Sequence, residues 1–168
     1  MDAPAPIPLV YTIAGCSEHS GAYVAENILV DSPLDTASRW SGAYQSSSDV
    51  EQWMLLRLAD LTILKSITFG KYYKRHPCNM KEFKVFVGLT EDNMTEVLHA
   101  GLKNDSVQET FSIRHIDRAG IFLPTRYVKI IPLSAYGQSS GFHTSIWHVA
   151  LSGIVDESYV QRIRERHD

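Results

Sequence analysis

Apolar residues in this chain recur with a period of two, in short runs rich in β-branched and aromatic side chains, and almost nowhere with the period of a helix. Such runs read as β-strands. The clear segments are 53–58, 61–69, 83–89, 109–116, 126–133 and 145–151, with weaker ones at 9–13 and 95–100. Loops marked by Gly, Ser, Asn, Asp and Pro separate them at 17–21, 41–48, 71–80, 102–106 and 134–141. They are longer than tight hairpins, which suits strands that cross between two sheets. No alternating strand and helix pattern occurs, so the expectation is an antiparallel sandwich or barrel. Only the tail departs. Residues 156–168 lack Gly and Pro, space Val160 and Ile163 by three, and alternate charge through Arg162, Arg164, Glu165 and Arg166, as a short helix does. A helix with so few apolar residues is marginal alone, so it either docks on the sandwich or begins a further element.

A length of 168 residues can bury one sizeable core without disulfides or metal. The expected organisation is a flexible start over 1–8, a β-sandwich over 9–154, and the helix or the start of a truncated next element over 155–168. With 44% hydrophobic and 21% charged residues the composition is that of a globular domain. A formal net charge of −3 gives no general attraction to phosphate backbones or anionic lipid, so neither nucleic acid nor membrane is an expected partner. No run of about 18 apolar residues occurs, and the first residues lack the basic flank and apolar core of a signal peptide, which predicts a soluble, unsecreted chain. Cys16 and Cys78 fall far short of the density of a disulfide scaffold and are expected to be free thiols. The glycosylation patterns at Asn93 and Asn104 matter only in a secreted protein and are expected to be silent.

Several segments carry a resemblance. Ala25-Glu26-Asn27-Ile28-Leu29-Val30-Asp31 followed by Ser38-Arg39-Trp40-Ser41 resembles the opening of discoidin (coagulation-factor C-type) domains. Gln52-Trp53, Arg126-Tyr127-Val128-Lys129-Ile130 and the closing 146–153 stretch resemble later strands of that family. More specific stretches, Ile67-Thr68-Phe69-Gly70-Lys71-Tyr72, Cys78-Asn79, Phe83-Lys84-Val85-Phe86 and 101–105 with Glu109-Thr110-Phe111, are similar to the amino-terminal discoidin domain of the muskelin family. The resemblance implies an eight-stranded antiparallel jelly-roll β-sandwich, of the galactose-binding-domain type. It also implies a non-catalytic protein-interaction module of a CTLH-type E3 ubiquitin-ligase assembly, cytoplasmic, with the nucleus as an alternative. Its partners would be ligase subunits or recruited substrates. The LisH, CTLH and kelch segments of that family are not in this sequence, so roles that rest on them, self-association included, are not carried over. The alternative is a glycan or small-ligand binder that uses its apical loops.

Candidate residues follow from the strand pattern. Trp40, Trp53, Tyr127, Trp147, Val149 and Leu151 are expected in the structural core, with Val128 and Ile130 as the alternative inward pair on their strand and His148 facing outward. The segment Lys71-Tyr72-Tyr73-Lys74-Arg75-His76 carries aromatic and cationic side chains with no acid among them, after a strand ending in Gly70. Together with Tyr44 and Tyr136 it is the expected binding surface, because Tyr and Arg dominate interface hot spots. Asp31 and Asp35, near Thr36, lie where some discoidin-type domains hold calcium. The family's metal-binding members often place a Glu in the final strand where this chain has Val149-Ala150-Leu151, so a turn scaffold is the expected role. Cys16, His19, His76 and Cys78 hold the ligand types of a zinc site, but no rule of spacing joins the two pairs. No metal or cofactor is expected. The nucleophile-elbow, phosphate-loop and zinc-protease patterns are absent, so no enzyme is expected.

Overall fold

Strand β4, Met54–Gly70, runs through both layers of the sandwich and organises the rest. The structure is a computed structural model and describes residues 3–43, 51–137 and 144–167. In the first half of β4, Met54, Leu56 and Leu58 point inward; all three pair with β2 (Tyr11–Cys16), and Met54 and Leu56 also pair with β8 (Thr125–Ala135). In the second half, pairing passes to β10 (His148–Ile154) and β7 (Glu109–Ser112). Between Arg57 and Thr62 the pairing with β8 is interrupted, and there the strand leaves one sheet for the other. The two runs expected at 53–58 and 61–69 are thus one bent strand.

One layer continues as β8, β5 (Met80–Thr90) and β6 (Asn93–Gly101). The other places β1 (Ile7–Pro8) on β10, so pairing begins at Ile7, inside the stretch expected to be flexible. A short pair, β3 (Trp40–Ser41) with β9 (Ser145–Ile146), closes the loop end. All named pairs are antiparallel, and the fold is a jelly-roll β-sandwich. Pro132 lies in β8, beyond Ile130, where pairing with β4 stops. Its missing N–H therefore breaks no ladder bond on that side.

Trp40, Leu56, Phe69, Phe83, Val85, Val128, Ile130, Val149 and Leu151 fill the space between the layers. A register shift at Ser152/Gly153 places an extra residue, Lys65, in β4, so the inward set changes from Leu64 to Ile67 and Phe69. A one-residue bulge exchanges the faces because the side-chain period is two. Pairing of Met54 with Ile130 and of Leu56 with Val128 sends Val128 and Ile130 into the core. Trp53 and Tyr127 fall on the other face and are half-buried, which corrects the core role expected for them. The cause is the run Trp53-Met54-Leu55-Leu56, where both parities are apolar and alternation alone cannot pick the buried one.

Helix α1, Glu157–Glu165, is capped by Asp156, whose Oδ1 accepts the Tyr159 N–H at 2.9 Å. It docks on the sandwich: Val160 and Ile163 pack with Ile63 and Ile154 in a second apolar cluster. That burial supplies the stability that its length does not.

Candidate functional site

The segment after Gly70 is two surfaces, one turned in and one turned out. Lys71 turns in: its Nζ lies 3.0 Å from Asp105, 2.8 Å from Glu109 and 2.9 Å from the Lys103 carbonyl, and its side chain is 3% exposed. The Lys103 N–H donates to the same Glu109 oxygen. Lys71 thus ties the 102–108 loop to the sandwich, and the absence of a balancing acid within 71–76 is made good by Asp105 and Glu109, 34 and 38 residues further along the chain. The hydrogen bond from Lys71 holds the Asp105 carboxyl below the usual carboxylate range.

Tyr72 also turns in. Its ring is stacked on Trp147 at 4.6 Å and 11°, and its hydroxyl is 3.2 Å from Thr36 Oγ1. His76 meets both rings edge-on, at 5.9 Å from Tyr72 and 5.6 Å from Trp147. Lys71 and Tyr72 are therefore corrected from exposed binding residues to buried supports. Tyr72 folds back to cover Trp147, which is buried as expected, and Lys71 folds back onto the acids at 105 and 109.

Polar groups around this stack are joined in a chain. The Trp147 indole N–H donates to Asn79 Oδ1 at 2.7 Å, Asn79 Nδ2 donates to Asn104 Oδ1 at 2.8 Å, and the His76 N–H donates to the same oxygen at 3.0 Å. The Arg39 guanidinium is buried, 4.4 Å above the Tyr23 ring, 5.1 Å from Trp147, and 3.0 Å from His76 Nε2. No carboxylate pairs with it among the described residues. Burial, then Arg39, then Lys74 lower the His76 pKa, which favours the neutral imidazole. His148 is not indifferent either: its Nδ1 lies 2.6 Å from the Ile28 carbonyl.

The outward surface is Tyr73, Lys74 and Arg75, with Tyr73 48% exposed. The Tyr73 N–H donates to the Pro33 carbonyl at 3.0 Å, which seats this segment against the 30–38 loop and its exposed Val30 and Leu34. Leu34, 78% exposed, is an exposed apolar side chain beside this surface that the strand pattern does not single out; an apolar residue between Pro33 and Asp35 in a loop is the available signal. Tyr136 is placed elsewhere, with its hydroxyl donating to the Leu102 carbonyl and its ring near Lys81. Tyr44 lies outside the described residues.

Asp35 Oδ1 accepts the Ala37 N–H at 2.9 Å, an Asx turn, and Asp31 lies beside Gly70. Among the described residues no three His, Cys, Asp or Glu side chains converge as metal ligands. The His76 imidazole is engaged by Arg39 and by the Cys78 N–H, and Cys16 and Cys78 are free thiols.

A two-layer jelly roll with its long loops gathered on a braced aromatic base is the architecture of a discoidin-type domain. Solved structures of similar shape include two carbohydrate-binding modules. The third family 32 carbohydrate-binding module of a family 31 glycoside hydrolase from Clostridium perfringens matches at a TM-score of 0.68 and 16% identity, over 85% of this chain and 90% of that one. The family 32 module of C. perfringens NanJ, solved with galactose, matches at 0.68 and 11%, over 88% and 98%. At such identities the likeness is one of fold. The chain belongs to the muskelin N-terminus family, whose model matches residues 7–168. It is 40% identical over 151 residues to Mei4-dependent protein 6 of Schizosaccharomyces pombe, covering 87% of this chain and 21% of that protein. The chain thus spans about a fifth of the length of that relative.

Proposed function

We propose that this domain is a non-catalytic protein-binding module that serves assembly or substrate recruitment in a CTLH-type ubiquitin ligase in the cytoplasm. The observation that carries the reading is the outward surface: Tyr73, Lys74 and Arg75 beside Leu34 and Val30, presented on a base fixed by the Tyr72–Trp147 stack and the Lys71 ion pairs. An aromatic and an arginine flanked by exposed aliphatics are the anchors of a protein interface. Lys74 and Arg75 favour an acidic partner and speed its approach.

A sugar site needs an exposed aromatic face with polar groups converging on it. Here the Tyr72 and Trp147 faces cover each other, and Asn79 and Asn104 are spent on internal hydrogen bonds. The cavity beside Trp147, lined by Lys71, Asn79 and Lys103 among others, holds about 10 Å³, room for about one water. This chemistry disfavours the glycan reading.

The test is capture of a reconstituted CTLH-type ligase by the tagged chain. Tyr73→Ala combined with Arg75→Glu should retain the parent melting temperature within a couple of degrees and lose capture. Undiminished capture by the folded double variant, or galactose binding that the same substitutions abolish, would overturn the reading.

A further inference from the structure

At the far end of β5 from this surface lies a second cleft, and nothing in the proposed interface uses it. It is bounded by Val87, Gly88 and Leu89 of β5, Asn93 and Thr95 of β6, Leu123 and Pro124 before β8, and His115, Arg164 and His167. Its volume is about 320 Å³, the size of one or two side chains rather than of a water.

The cleft sets one cationic side chain, Arg164, beside an apolar wall. None of its lining residues is acidic. Glu91 and Asp92 stand next in the chain, on the turn between β5 and β6, and neither lines it. The Arg164 side chain has no hydrogen-bond or ion-pair partner among the described residues. His115 lines the cleft with the rest of its ring, while its Nδ1 is shut off from solvent. Opposite these groups Leu89, half exposed, continues the apolar wall to the rim.

The walls are held in place before anything binds. Asp117 Oδ1 accepts the Ala119 and Ile121 N–H groups at 2.8 and 2.9 Å, and the Leu123 N–H donates to the His115 carbonyl at 2.7 Å. His167 closes the corner: its Nδ1 is 3.3 Å from Asp117 Oδ2 and its Nε2 is 3.3 Å from the Phe122 carbonyl. The Asp117 carboxylate is therefore taken up by the wall and by His167, which leaves Arg164 as the unpaired charge of the cleft.

We infer that this cleft is a second binding site, taking an acidic side chain flanked by apolar residues from an extended segment of a protein partner. The carboxylate would meet Arg164, and the apolar neighbours would lie on Leu89, Leu123 and Pro124. A peptide fits better than a free small acid because the cleft is open along one side. An enclosed small-molecule site buries most of its ligand, whereas a groove covers one face of a residue whose chain continues past it.

Titration of the isotope-labelled chain, followed by amide shifts, tests this with three probes: acetyl-Leu-Glu-Leu-amide, the same peptide with Gln in place of Glu, and glutarate. The Glu peptide should move amides at 87–95, 115–124 and 164–167, while the Gln peptide and glutarate bind about tenfold more weakly or not at all. Arg164→Glu should weaken the Glu peptide by about tenfold or more without changing the melting temperature, and Arg164→Gln by less. The Tyr73→Ala, Arg75→Glu variant should bind it as the parent does, which separates this site from the other surface. Equal binding of the Gln peptide, equal binding of glutarate, shifts centred elsewhere, or indifference to both Arg164 substitutions would each overturn the inference.

Discussion

Tyr72 lies parallel to Trp147, with ring centroids 4.6 Å apart and the planes inclined by 11°. The pair joins the segment after β4 to the segment before β10, two parts of the chain about 75 residues apart. Because Tyr72 is 5% exposed, this contact belongs to the frame of the loops rather than to their working surface.

Truncating either ring should therefore cost stability. Tyr72→Ala should lose about 3 kcal/mol and Trp147→Ala about 3 to 5 kcal/mol, the range for deleting a buried aromatic. In a double-mutant cycle by urea denaturation the pair should show a coupling of about 0.5 to 1.5 kcal/mol. Tyr73→Ala, one residue on, should stay within about 0.5 kcal/mol of the parent. Equal losses at Tyr72 and Tyr73 would contradict the division into an inner and an outer face.

Lys71 makes a second distinction. Lys71→Met leaves Asp105 and Glu109 facing each other and orphans the Lys103 carbonyl, so it should cost about 2 kcal/mol, less than a fully buried pair because both carboxylates keep some water. Lys74→Met, on the exposed side, should cost almost nothing. The loss at Lys71 should persist in 0.5 M salt, since its side chain is shielded from solvent. A loss that vanishes in salt would mean that the ion pairs are a surface contact.

Acid should act on His76 and His115. Both are held below the ordinary histidine value of 6.5, His76 by burial and by the Arg39 and Lys74 charges, His115 by burial. With the folded value depressed, the unfolded chain takes up the proton first. Each group's stabilising contribution is whole above pH 6.5 and is lost as pH falls through the depressed folded value. The melting temperature should begin to drop below that point, with a shallower slope in His76→Gln. Asp105, Asp117 and Asp156 add losses of the same sign only below their ordinary value of 3.8. A parent and a His76→Gln variant with the same slope between pH 7 and 5 would remove His76 from the account.

The sequence by itself determined the all-β class, because period-two alternation over β5, β8 and β10 can bury one face only in a sheet. It also placed the loop at 71–80 and the short terminal helix, because Gly70, Pro77 and the Val160 and Ile163 spacing are local signals. Which side chains of that loop are available was decided by tertiary structure alone. The acids that neutralise Lys71 sit at 105 and 109, the ring that covers Tyr72 sits at 147, and the cation that adds to burial in lowering the His76 pKa sits at 39. The parity of Trp53 had the same fate, since only the register of Met54 against Ile130 chose between two apolar faces. Local chemistry fixes what a segment can form. Whether its charges and rings are exposed depends on partners brought together by sheet pairing, whose sequence separations leave no local trace.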